Sequence, residues 1–203
     1  MRMTDHFEQK AEDWDSMPVP AQISEGVYGA LMEALELGDG QEVLDFGAGT
    51  GLVGAKLAPH VGRIFAVDIS RAMLDKLAEK PELKGKVEIR CQDIVDEPLD
   101  VKVDLIVSAM ALHHVKDTRT LFERFRDHLR PRGRIALADL DSEDGSFHPP
   151  DTDGVFHTGF DREALGAMLR EVGFSDVSFT TACEVHREER RYPIFLVTAT
   201  KAS

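Results

Sequence analysis

The chain has 203 residues, 42% of them hydrophobic and 30% charged, with a formal net charge of −13. That length fits one domain with a sizeable core, and the composition is that of a soluble globular protein. The negative balance argues against a nucleic-acid backbone or an anionic membrane as partner, and no apolar run approaches the roughly 18–20 residues of a membrane span.

The N-terminal stretch MRMTDHFEQKAEDWD lacks the apolar segment of a signal peptide, so a cytoplasmic location is expected. From residue 20 to 37, apolar residues at Ile23, Val27, Leu31, Ala34 and Leu35 follow helical spacing, and Gly38 reads as the stop. EVLDF (42–46) reads as a short strand, and GLVGAKLAPH (51–60) as a helix ended near Pro59. RIFAVDIS (63–70) is an apolar strand, with Ser70 placed to cap the helix RAMLDKLAEK. KVEIRCQD (86–93) alternates as a strand, and VDLIVSAMAL (103–112) begins as an almost unbroken apolar one. TRTLFERFRDHLR (118–130) is an amphipathic helix with Leu121, Phe122, Phe125 and Leu129 on one face. PRG reads as its stop and RIALADLD as the next strand. Residues 141–160, rich in Gly, Pro, Asp and Ser, read as a long loop. A helix with Asp161 as N-cap follows, then two closing strands joined by the charged run HREERR (186–191), expected to be solvated.

Strands alternating with helices imply an α/β fold, a Rossmann-like doubly wound sheet with helices on both faces. One domain is expected: a helical cap at 1–40, a ligand-binding core at 41–141, and a loop, helix and closing strands at 142–203. Cys91 and Cys183 show no CxxC or Cys/His spacing and read as buried free thiols. His148, Asp151, Asp153 and His157 are metal-competent types; such loops arise without metal, and none is expected.

The stretch EVLDFGAGTG (42–51) sets the functional question. GTGLVG (49–54) matches the GxGxxG dinucleotide fingerprint, with an acid following at Asp68. A glycine loop between strand and helix commonly cradles phosphate. Here Asp45 stands at the end of the strand, where a pyrophosphate would meet an ionised carboxylate. Like charges about 4 Å apart cost roughly 4 kcal/mol at an effective dielectric of about 20. A ligand with adenine, ribose and a cationic end satisfies both features, and S-adenosylmethionine is one.

The sequence resembles the class I S-adenosylmethionine-dependent methyltransferases, in their broad small-molecule branch. LDFGAGTGLVG resembles their first motif, AVDIS their second and CQDIVD their third. VDLIVSAMALHHV and LRPRGRIALAD are similar to their fourth- and fifth-strand segments, and KAEDWD to their cofactor cap. The resemblance implies a seven-stranded, mostly parallel sheet with an antiparallel last strand. It implies S-adenosyl-L-methionine as cofactor and methyl transfer to a small-molecule acceptor. By position, Gly47, Ala48, Gly49 and Gly51 would let the backbone approach the methionine moiety, and Asp45 would hold its ammonium. Asp68 would accept both ribose hydroxyls, Ile69 would pack on adenine, and Asp93 with Ile94 would contact the adenine edge. Ser108 and Ala109 would face the reacting end.

On the acceptor side, His113, His114, Asp139, Asp141, His148 and His157 are the candidate polar residues. His113, and less so His148 and His157, are candidates for a proton acceptor near neutral pH. The segment at 5–20, with Phe7, Trp14 and Met17, reads as a lid. A monomer or homodimer without nucleic-acid or membrane partners is expected. The other readings are a non-catalytic cofactor-binding domain and an NAD-linked oxidoreductase.

Overall fold

Strands β1 (Glu42–Phe46), β2 (Arg63–Asp68), β3 (Val87–Cys91), β4 (Val103–Ala109), β5 (Leu129–Leu140), β6 (Phe174–Arg187) and β7 (Arg190–Lys201) make one sheet in the computed structural model. It describes residues 10–150, 152–187 and 189–202. The order is β3-β2-β1-β4-β5-β7-β6. β1 to β5 pair in parallel, and β7 runs antiparallel to both β5 and β6. The expected mostly parallel sheet with an antiparallel last strand is therefore observed.

Apolar patterning sets the two covered faces. On one face, α1 (Pro18–Ala34), α2 (Leu52–Leu57) and α3 (Arg71–Ala78) bury Ile23, Val27, Leu31, Leu57, Leu74 and Leu77. On the other, α4 (Thr118–His128) and α5 (Arg162–Val172) bury Leu121, Phe122, Phe125, Leu165 and Leu169. Each full burial of such a side chain contributes about 1.5–3 kcal/mol. Ser70 Oγ accepts from Met73 N at 3.3 Å and Asp161 Oδ1 from Ala164 N at 2.9 Å, so both expected caps form.

Several boundaries move. α1 stops at Ala34, four residues before Gly38, because Leu35 turns extended (φ −125°, ψ 138°) while staying buried in the core. Pro131–Gly133 do not separate α4 from β5. The strand starts at Leu129 opposite Val103, with a register shift before Leu105 and Arg132 at φ +62°. β4 ends at Ala109, short of the apolar run. Met110 adopts φ +59° and donates its N–H to Ala138 O at 2.9 Å, throwing the chain into a 3-10 turn at Leu112–His114. Both cysteines are free but only half-buried, since β3 and β6 are the sheet's edges. Among the described residues, no helix is long and apolar enough to cross a membrane.

Candidate active site

The strand order turns around at β1 and β4, and the loops leaving their carboxyl ends meet there, where open α/β sheets bind ligands. The glycine loop spends its amides internally. Gly47 N and Ala48 N both donate to Val67 O (2.8 and 3.1 Å), Gly49 N donates to Asp68 Oδ2 (2.8 Å), and Gly51 N donates to Ala48 O (2.8 Å). An anion-binding loop must aim such N–H groups at its ligand. This loop does not offer these four to a phosphate.

The glycines differ in what excludes a side chain. All three have positive φ: 66° at Gly47, 54° at Gly49 and 81° at Gly51. A Cβ on Gly47 would stand 2.3 Å from Ala111 Cβ, and one on Gly51 would stand 2.8 Å from Leu77 Cγ. These two are glycine for protein packing, which differs from the expected clash with a ligand. A Cβ on Gly49 would meet nothing within 4 Å. Gly49 alone of the three borders open space, where a ligand fits.

Two carboxylates flank the loop. Asp68 is fixed at the tip of β2 by Gly49 N and by Ser70 N, which donates to Oδ1 at 2.8 Å. Asp45 is 3% exposed. Burial, and then the charge of Asp68, push its carboxyl from 3.8 up to about 7. The folded value lies above the unfolded one, so the folded state holds this proton more tightly. Asp45 therefore costs no stability below pH 4, and stability falls as the pH rises through about 4 to 7, by roughly 4 kcal/mol in total. Asp45→Asn is accordingly expected to raise the melting temperature of the ligand-free protein by several degrees at pH 8, with the gain shrinking toward pH 5. An equal gain at both pH values would contradict this assignment.

The adenine-side candidates divide by burial. Ile69 is 44% exposed, unusual for its type, and sits beside Asp68. Asp93 is half-buried, and its Oδ1 accepts from Val95 N at 2.9 Å. Ile94 is fully buried in the α4–α5 core, so only its backbone could reach a ligand. Ser108 Oγ is sealed in and has no hydrogen-bond partner among the described residues. Ala109, next in the strand, is half-buried and the more open of the two.

The N-terminal segment crosses this region. Asp15 accepts from Thr50 Oγ1 at 2.5 Å and pairs with Lys80, while Glu12 pairs with Lys76 at 2.6 Å. The charge of Lys10 bears on His114 and His148. Residues 10–16 thus relate the histidines to the glycine loop; residues 5–9 of the expected lid, Phe7 included, lie outside the described residues.

The 3-10 turn at Leu112–His114 starts beside Gly47, through Ala111. His113 and Asp139 are both buried, with Nδ1···Oδ1 at 2.7 Å. The Asp139 carboxylate also accepts from the N–H groups of Leu112, His113 and Leu140. It orients the imidazole with Nδ1–H toward the acid and Nε2 outward. His113 Nε2 lies 3.1 Å from His148 Nε2, and His114 Nδ1 donates to Gly154 O at 2.7 Å. Burial, followed by the neighbouring imidazole of His113, lowers both His114 and His148 to about 4, so both are neutral at physiological pH.

The long loop from 142 to 160 carries His148 inward. Phe156 N and His157 N donate back to His113 O (2.9 and 3.3 Å), and Arg187 stacks 4.3 Å over the Phe147 ring. A groove of about 510 Å³ runs beside His148, between Phe147, Pro149, Arg187 and Arg190. Two expected site residues are otherwise engaged. His157 Nε2 is bonded to Val115 O at 2.9 Å, outside the histidine cluster, and Asp141 is clamped by Arg162 through two 2.7 Å bonds. Among the described residues the cluster of metal-competent side chains is His113, His114 and His148; of the four metal-competent loop residues only His148 belongs to it, and Asp151 is outside the described residues. The sequence reading places His113, Asp139 and His148 together on the acceptor side, but gives no sign that the rings of His113 and His148 meet at 3.1 Å.

Residues 43–133 match the methyltransferase domain family. The chain is 33% identical over 154 residues to an uncharacterized methyltransferase of Schizosaccharomyces pombe, covering 68% of this chain and 54% of that protein. A solved complex of DhpI with S-adenosylhomocysteine superposes with a TM-score of 0.76 at 22% identity, over 97% of this chain and 94% of that one. A putative methyltransferase solved with the Haloferax volcanii Trm112 methyltransferase activator superposes with a TM-score of 0.81 at 16% identity, over 99% and 100%. The family match, the curated relative and the shared fold together support a class I S-adenosylmethionine-dependent methyltransferase. It spans about half the length of the curated relatives it matches.

Proposed function

We propose that this chain binds S-adenosylmethionine at the carboxyl ends of β1 and β2 and catalyses methyl transfer to a small-molecule acceptor held beside the histidines. The carrying observation is the glycine loop: its amides are internally bonded while two carboxylates flank it. That arrangement suits a cofactor with ribose hydroxyls and an ammonium, and disfavours a pyrophosphate. The strand order also departs from the dinucleotide-binding order 3-2-1-4-5-6 by placing antiparallel β7 between β5 and β6.

When bound, the cofactor supplies a methyl group on an activated sulfonium leaving group. The chain's own work is alignment, exclusion of water and, where the acceptor needs it, proton removal. Asp68 holds ribose, Ile69 covers adenine, Asp93 and the Ile94 backbone contact its edge, and ionised Asp45 faces the ammonium. His113 Nε2, oriented by Asp139, is the group placed to take a proton; His148, lowered to about 4, is a weak base and contributes through its 3.1 Å contact with His113 Nε2. The groove beside His148 fits an acceptor of small-molecule size.

Incubation with methyl-labelled S-adenosylmethionine and a metabolite extract should place label in the small-molecule fraction. His148→Ala should lower that yield at least tenfold with S-adenosylhomocysteine affinity retained. Label confined to protein or nucleic acid would contradict the acceptor class, and full turnover in both His113→Ala and His148→Ala would remove the histidines from the reaction.

A further inference from the structure

We propose that His113, His114 and His148 form a three-imidazole site for a zinc-class divalent cation, with a coordination position left for the heteroatom of the acceptor. One ring nitrogen from each lies within 4.8 Å of the others. Nitrogens about 2.0–2.1 Å from one zinc ion stand roughly 3.3 Å apart in a tetrahedral set. His113 Nε2 and His148 Nε2 are already 3.1 Å apart, and bringing any pair in from 4.8 Å needs a movement of about 1.5 Å at most.

The surroundings are those of a ligand set rather than of three packed rings. A metal-bound imidazole commonly donates its other N–H to a carboxylate or a backbone carbonyl, which fixes tautomer and orientation. Asp139 takes that role for His113, and Gly154 O takes it for His114. Each bond puts the proton on Nδ1 and the lone pair on Nε2. His148 is positioned by Phe147, whose ring meets it edge-on at 4.9 Å and whose carbonyl accepts from Arg187. The buried charge of Asp139 favours a cation at this point, and Arg187 and Lys10 oppose it. Imidazole donors suit zinc, copper, iron and nickel over magnesium or calcium.

Three protein nitrogens leave a fourth tetrahedral position, the pattern of catalytic rather than structural zinc. An acceptor hydroxyl or thiol coordinated there would lose its proton to solvent more readily, keeping the electron pair on the heteroatom. That role rests on the methyltransferase reading above and replaces direct proton transfer to His113, whose Nε2 lone pair is then engaged by the cation; cation binding itself does not depend on that reading.

The test is titration of the full chain, stripped with a chelator and dialysed, with Co²⁺ followed by visible absorption and with Zn²⁺ against a chromophoric competitor. One equivalent should bind, with the intense visible bands of low-coordinate Co²⁺ and a raised melting temperature with Zn²⁺. His148→Ala, on the half-buried loop, should weaken Zn²⁺ at least a hundredfold while its own melting curve stays cooperative. Asp139→Asn should weaken it about tenfold. His186→Ala, on the exposed β6–β7 ribbon, should bind as the parent does. Absence of stoichiometric binding, or binding unchanged in His148→Ala, would overturn the proposal. S-adenosylhomocysteine affinity, read separately by calorimetry, keeps such a failure distinct from failure of the methyltransferase reading.

Discussion

Asp68→Ala should weaken S-adenosylhomocysteine binding by about 1.5–3 kcal/mol, roughly ten- to a hundredfold, the range for hydrogen bonds to a charged group. The carboxylate is held by Gly49 N and Ser70 N at 2.8 Å each, so its plane is set before a ligand arrives. That pre-organisation favours a paired acceptor for two adjacent hydroxyls, since a carboxylate has about four lone-pair sites. The substitution also releases two backbone donors, so a modest fall in melting temperature should accompany the loss of affinity. Calorimetry showing unchanged affinity in a folded Asp68→Ala protein would remove Asp68 from the ribose site.

Gly49→Val should abolish cofactor binding and leave the protein folded, whereas Gly47→Val should fail to fold stably. Both residues have positive φ, which costs a side-chain-bearing residue about 1–2 kcal/mol. At Gly49 that strain is the main folding penalty expected, because an added Cβ meets no atom of the described residues within 4 Å. The new side chain projects into the space assigned to the ligand. At Gly47 the added Cβ would overlap Ala111, and the turn carrying the histidines would have to move. Overpacking of this kind costs a further 1–3 kcal/mol. Binding by a folded Gly49→Val protein at parental affinity would mean the loop's open side is not the cofactor site.

Much of this was legible in the sequence, for definable reasons. EVLDF is bounded by polar residues and glycine, so β1 begins and ends where its pattern does. Ser70 and Asp161 were readable as caps because capping is a local interaction. Asp68 was findable because a strand end followed by a helix N-cap is a local pattern. Non-local features were not readable. Met110 adopts φ +59° where β4 leaves the sheet, and the apolar run gives no sign of that turn. The PRG sequence resembles a helix stop, yet its backbone joins β5 through a register shift against β4. Ser108 looks like a pocket residue by position, but its hydroxyl is sealed from solvent on a central strand, which position alone does not report. His148 meets His113 across 35 positions only because the loop is stitched back by Phe156, His157 and Arg187. No spacing rule reports such a closure.

The most direct measurement is isothermal titration of the full chain with S-adenosylhomocysteine and, separately, with NAD. The internally bonded glycine amides and the buried Asp45 predict saturable one-to-one binding of S-adenosylhomocysteine. They predict no heat of binding for NAD, whose pyrophosphate would face Asp45. Between pH 5.5 and 7.5 the S-adenosylhomocysteine affinity should rise, because Asp45 must lose the proton it holds up to about pH 7 to face an ammonium. Saturable binding of NAD with none of S-adenosylhomocysteine would contradict the account at its centre.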